Sequence, residues 1–148
     1  MKLLAAAGVT ALLLLSCSND PAPTKAQYTG VADGVCQAAH DELVKKSKAH
    51  FADTPDGGAN QRFVRADVIP RLRSMTGELR GIPAPENDGT YLADVYNSYD
   101  HALDLWYGDP LGPSSVRAGE AAEARMDSYG MKGCAEAGDI KVDDEVSG

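Results

Sequence analysis

The side chains equipped for chemistry in this 148-residue chain are three histidines, a set of arginines, many carboxylates and a band of aromatics. Asp94, Asn97, His101 and Asp104 follow one another at helical steps of three, four and three. Such a stripe offers nitrogen and oxygen donors to a divalent cation. No Glu-x-x-His pair and no second ligand-bearing helix accompanies it, so it reads as a solvated helix face. His50 lands on the apolar side of its segment as a hydrogen-bonded boundary residue, and His40 sits beside Asp41 and Glu42 without a motif. Arg62, Arg65, Arg73 and Arg80 gather on one side of a segment and could hold an anion or an acidic partner. The plainer reading is a charge balance with acidic neighbours, each exposed pair contributing little. Residues 53–60 lack the alternating carboxylates and closing Glu of a calcium loop. Ser114 and Ser115 have no Gly-x-Ser-x-Gly setting, and no phosphate-cradling glycine loop occurs. We therefore expect no catalytic residue, no metal and no cofactor. The aromatic band holds Tyr91, Tyr96, Tyr99, Trp106 and Tyr107, which could fill a core or line an apolar pocket. Tyr96, Tyr99 and Trp106 are the candidate ligand-binding residues.

Thiol chemistry is better defined. Lys2 precedes an apolar run over residues 3–15, too short for a bilayer span and of the length of a signal-peptide core. It ends in Leu14-Leu15-Ser16-Cys17, which resembles the bacterial lipobox. That resemblance implies that residues 1–16 are cleaved and that Cys17 becomes a lipidated N-terminus carrying diacylglycerol, with palmitate-type acyl chains. Three cysteines would be an awkward number for an exported protein. With Cys17 assigned to lipid, Cys36 and Cys134 remain, and in an oxidising compartment they are expected to form a disulfide. Two free thiols are the alternative.

The elements that must position these groups follow from hydrophobic periodicity. Four helical segments are expected. The first covers about residues 31–52, with Ala32, Cys36, Ala39, Leu43 and His50 on one face. The second covers residues 59–80, with a stripe of Val64, Val68, Leu72, Met75, Leu79 and Ile82 and a kink at Pro70. The third starts at Asp88 as N-cap, ends near Tyr107, and buries Leu92, Val95, Tyr96, Tyr99, Ala102, Leu103 and Trp106. The fourth is capped by Ser114 or Ser115, buries Gly119, Ala122, Met126 and Tyr129, and stops at Gly130. No strand-like alternation intervenes. An all-α, four-helix up-down bundle closed by one disulfide is the expected fold. The expected organisation is a signal peptide (1–16), a flexible tether (17–28) marked by Pro21 and Pro23, a bundle domain (29–134) and an acidic disordered tail (135–148).

Several of these landmarks together resemble small helical-bundle lipoproteins of actinobacteria. They are the lipobox at residues 14–17, Cys36 in the first helix, the Leu-x-x-Ile-Pro-Ala-Pro connection at residues 79–85, and Tyr-Gly-x-x-x-Cys at residues 129–134. The resemblance implies a disulfide-closed domain of the cell envelope and brings no catalytic residues.

The formal net charge of -8 argues against nucleic acid as a partner and against attachment through a basic patch. Membrane attachment would come through the lipid on Cys17, on the extracytoplasmic face. The expected role is a non-enzymatic interaction or accessory module, with an envelope protein as a partner. A small-ligand-binding bundle and a phage- or plasmid-borne exclusion lipoprotein are the alternatives.

Overall fold

The computed structural model describes residues 21–53, 57–110 and 112–138. The expected signal peptide, Cys17 and tail residues 139–148 lie outside the described residues. Among the described residues, all regular structure is helical.

Helix α1 (Lys25–Asp53) starts six residues before the expected boundary. The cause is a capping box. Thr24 N–H donates to Gln27 Oε1 at 2.8 Å, and Gln27 N–H donates back to Thr24 Oγ1 at 3.2 Å. Residues 25–28, expected to belong to the tether, are therefore helix, and Tyr28 is buried in the core. The buried stripe of α1 continues through Ala32, Cys36, Ala39, Leu43 and Ser47.

The second expected segment is a continuous run of three parts: α2 (Gly57–Phe63), a π turn (Val64–Val68) and α3 (Ile69–Arg80). Pro70 explains the interruption. Its ring crowds the carbonyl four residues back and it donates no hydrogen bond, so the backbone widens by a π turn just before it. The π turn also aims Arg65 across the molecule. Its guanidinium donates to the carbonyls of Tyr107 (2.9 Å) and Gly108 (3.1 Å) at the end of the helix that follows α3. Those terminal carbonyls have no helical partners of their own, so Arg65 acts as a C-terminal cap.

Helix α4 (Gly89–Gly108) carries Leu92, Val95, Tyr96, Tyr99, Ala102 and Leu103 into the core. Asp88 stands at its N-cap position but makes no side-chain cap, because its carboxylate accepts from Tyr129 instead. Helix α5 (Pro113–Tyr129) begins after Gly112, and neither Ser114 nor Ser115 caps it. Ser114 is exposed; Ser115 is buried and its hydroxyl donates back to the carbonyls of Asp109 and Gly112. Gly130 ends α5 in the left-handed region (φ 103°), as expected. Gly130 N–H reaches Asp127 O at 2.8 Å and Met131 N–H reaches Met126 O at 2.9 Å, a complete Schellman motif. A short sixth helix, α6 (Lys132–Ala135), was not anticipated.

The long helices pack in sequence, α1 on α3, α3 on α4, and α4 on α5, while α6 packs on both α1 and α5. Side-chain pairs give the directions. Arg71 meets Glu42 and Lys46 meets Asp67, so α1 and α3 run antiparallel. Arg73 meets Asp104 and Arg80 meets Asp100, which sets α3 against α4. Trp106 meets Ser115 and Tyr91 meets Tyr129, which sets α4 against α5.

Cys36 and Cys134 are joined, both fully buried, across 98 positions of sequence. In the chain-entropy picture a loop of that length stabilises the fold by about 4–5 kcal/mol. Ala137 is also fully buried, so the chain just after α6 belongs to the packed domain, although it falls in the expected tail.

Candidate functional site

One end of the helical domain is built from phenols. Tyr28 lies in the first turn of α1, where the capping box starts the helix. Tyr96 comes from the middle of α4, Tyr91 from its first turn, and Tyr129 from the last residue of α5. The Tyr28 and Tyr96 hydroxyls are in direct hydrogen-bond contact in the core, and Tyr96 Oη also donates to Met131 Sδ at 3.8 Å. Tyr129 Oη donates to Asp88 Oδ2 at 2.6 Å. The Tyr129 ring meets Tyr28 edge-on (6.0 Å) and stacks on Tyr91 (5.6 Å). Lys25 Nζ lies 4.2 Å from the Tyr129 ring centroid, a cation–π contact.

Tyr28, Tyr96 and Tyr129 stay protonated past the ordinary tyrosine range. Burial pushes Tyr28 up, partly offset by its hydrogen bond with Tyr96. Burial does the same to Tyr96, reinforced by Tyr28. Tyr129 is raised by burial and then by donating to the Asp88 carboxylate, which an ionised phenol could not do. These three phenols are held as neutral hydrogen-bonding groups.

A cleft of about 160 Å³ opens beside it, between the end of α3, the 81–88 connection and the start of α4. Leu79, Ile82, Leu92 and Ala93 supply apolar wall; Tyr28, Tyr96 and Arg80 supply the polar groups. The connection turns at Asn87, whose φ of 69° lies in the left-handed region that Asn tolerates better than most residues. Arg80 is committed to α4, with 2.7 Å to Asp100 Oδ2 and 3.2 Å to Asn97 Oδ1.

The candidate ligand-binding residues separate on folding. Tyr96 lines this cleft, whereas Tyr99 and Trp106 border a void of about 10 Å³, room for one water at most. Tyr99 is core, its phenol raised by burial and by the nearby Glu123 and Asp100 charges. Trp106 is half-buried, covers Gly119 and donates its indole N–H to Ser115 O at 3.2 Å. Tyr91 and Tyr107 are exposed at the surface.

The other candidates resolve into structural roles. Arg73 and Arg80 pair with Asp104 and Asp100, and Arg65 caps α4; Arg62 is exposed. Asp104 and Asn97 of the His101 stripe are thus held by arginines, while His101 and Asp94 are exposed. His50 stacks on Phe63 at 4.7 Å, and His40 is half-buried. Glu42 is held below the ordinary carboxylate range by its hydrogen bonds with Lys46 and then Arg71, a structural link between α1 and α3. Among residues 53–60, positions 54–56 lie outside the described residues.

Sequence reasoning missed Tyr28, the residue that joins the cluster to the cleft. Two signals were present: Thr24-x-x-Gln27 is a capping box, and Tyr28 stands four residues before Ala32 and eight before Cys36 on the buried face. Neither a protein-family model, nor a curated protein, nor a solved structure matches this chain.

Proposed function

We propose that this chain is a lipid-anchored protein of the extracytoplasmic membrane face, with its helices forming an up-down bundle that serves as a non-enzymatic interaction or accessory module. The pairing of Cys36 with Cys134 carries the reading. It uses two of three cysteines, and the third, Cys17, stands where the lipobox-like Leu-x-Ser-Cys ending requires a lipidated thiol. A disulfide of this kind suits an exported protein. One acyl chain holds a membrane only marginally, so the diacyl modification is what makes the attachment durable. The resemblance to small actinobacterial envelope lipoproteins points the same way.

Mass spectrometry of the membrane fraction tests the anchor. The expected result is loss of residues 1–16, acyl mass on Cys17 and a linked Cys36–Cys134 peptide. Cleavage elsewhere with an unmodified Cys17 would overturn it. Cross-linking in intact cells, with recovery of a reproducible envelope protein, tests the interaction role; turnover of a small molecule by the purified chain would sink it.

The cleft beside Tyr28 and Tyr96 favours a second reading, a small-ligand-binding bundle. It differs from the first in what the domain recognises, not in where it sits.

A further inference from the structure

The cleft narrows the second reading to a ligand class. We infer that it binds a neutral, single-ring aromatic molecule carrying one O–H or N–H donor, of which phenol is the simplest probe. The inference rests on the ligand-binding reading and on nothing in the anchor.

Size comes first. A cavity of about 150 Å³ with apolar walls is known to accept a benzene-sized molecule. The cleft here is about 160 Å³, with Leu79, Ile82, Leu92 and Ala93 in its lining, so it has room for one ring.

Charge comes second. Arg80 is the cation on the lining, and its guanidinium already holds Asp100 at 2.7 Å and Asn97 at 3.2 Å. A carboxylate ligand would have to compete with Asp100 while losing its own water, in a chain of net charge -8. A neutral ligand meets neither cost.

Hydrogen-bond valence comes third. The Tyr28 and Tyr96 hydroxyls share one hydrogen bond in which either can donate. Whichever phenol donates, Tyr28 keeps at least one oxygen lone pair for a further donor. A ligand O–H or N–H matches that acceptor, and a bare hydrocarbon does not.

The test uses the intact, disulfide-bonded protein in one fixed detergent, with tyrosine rings carbon-13 labelled. Phenol is titrated while the ring signals of Tyr28, Tyr96 and the remote, exposed Tyr107 are followed. Saturable shifts of Tyr28 and Tyr96, with Tyr107 unmoved, are expected. Ala93→Leu should fill the cleft and abolish the saturable shift. Tyr28→Phe should weaken phenol by about 2- to 10-fold, the loss of one ordinary hydrogen bond, read on Tyr96. This second variant keeps the test open if Ala93→Leu fails to fold. Benzoate should bind more weakly than phenol. Shifts shared equally by Tyr107, or a Tyr28→Phe curve identical to that of the parent, overturn the site. Tighter binding of benzoate overturns the neutral class while leaving a ligand-binding cleft in place. Neither result bears on lipidation of Cys17.

Discussion

The carboxylate of Asp33 accepts a hydrogen bond from the backbone N–H of Gly133 at 2.9 Å, joining the first helix to the last across 100 positions of sequence. Gly133 is the second residue of α6, whose first N–H groups have no partner within the helix. A carboxylate there satisfies a donor and complements the helix dipole. The side chain comes from another helix, so it caps α6 and docks it at once. Room matters as well: a Cβ on residue 133 would lie 3.3 Å from Asp33 Oδ1. Asp33→Ala is expected to lower stability by about 1–2 kcal/mol, and Asp33→Asn by less, because the amide oxygen can still accept. Urea denaturation of the oxidised protein measures both, and an unchanged midpoint for Asp33→Ala would refute the cap.

The disulfide lies one residue beyond that cap, at Cys134. Reduction should therefore free α6 and the buried Ala137 together, leaving Asp33 without its donor. Loss of the cross-link is expected to cost about 4–5 kcal/mol. The Cys36→Ala, Cys134→Ala and double variants should lose nearly the same amount, since each removes the same bond. Denaturation curves with and without dithiothreitol supply the comparison. A double variant twice as damaging as either single would show that the thiols act separately.

Gly130 makes a local prediction. Its φ of 103° and the Met131-to-Met126 hydrogen bond hold the reversal between α5 and α6. An alanine there would meet only Thr29 Cγ2, at an ordinary 3.6 Å, so the cost is in the backbone and not in packing. Gly130→Ala is expected to lose about 1–2 kcal/mol. Asparagine, which tolerates the left-handed region better, should lose less. Thermal melting of the two variants ranks them.

Much of this was legible in the sequence wherever one helix face carries large apolar residues. The stripe Leu92, Val95, Tyr96, Tyr99, Ala102 and Leu103 is buried as its 3.6-residue period requires, and so are Met75, Leu79, Ala122 and Met126. Reading failed where the signal was small or distant. Alpha-1 buries alanines, whose contribution to any periodic pattern is weak, and Pro21 and Pro23 drew its start too far along the chain. Four-residue α6 is shorter than any periodicity can reveal; it is held by Asp33 and Cys36, both about a hundred residues away. Asp88 and Ser115 have cap-forming side chains, but Tyr129 claims Asp88, and Ser115 lies inside the first turn of α5, where it bonds the carbonyls of Asp109 and Gly112. The cleft depends on how the 81–88 connection turns relative to Tyr28, a relation between distant parts that no local window contains.

The buried phenols give the protein a defined alkaline limit. Tyr28, Tyr96, Tyr99 and Tyr129 are all raised above the ordinary value, each first by burial. An unfolded tyrosine titrates near pH 10. Below that pH both states keep their protons, and the stabilisation from these neutral phenols is fully present. Above it the unfolded chain releases protons that the folded chain retains, so stability falls as pH rises toward the folded values. Each such group contributes a slope of about 1.4 kcal/mol per pH unit in that window. We expect a flat stability profile for these groups up to about pH 10 and a steep cooperative loss beyond it. Absorbance at the phenolate band should show these four buried phenols ionising only as helicity is lost. Tyr129→Phe should make the alkaline loss shallower by removing one titrating group. Smooth ionisation of Tyr28, Tyr96, Tyr99 and Tyr129 near pH 10 with the helices intact would show that the cluster is open to water.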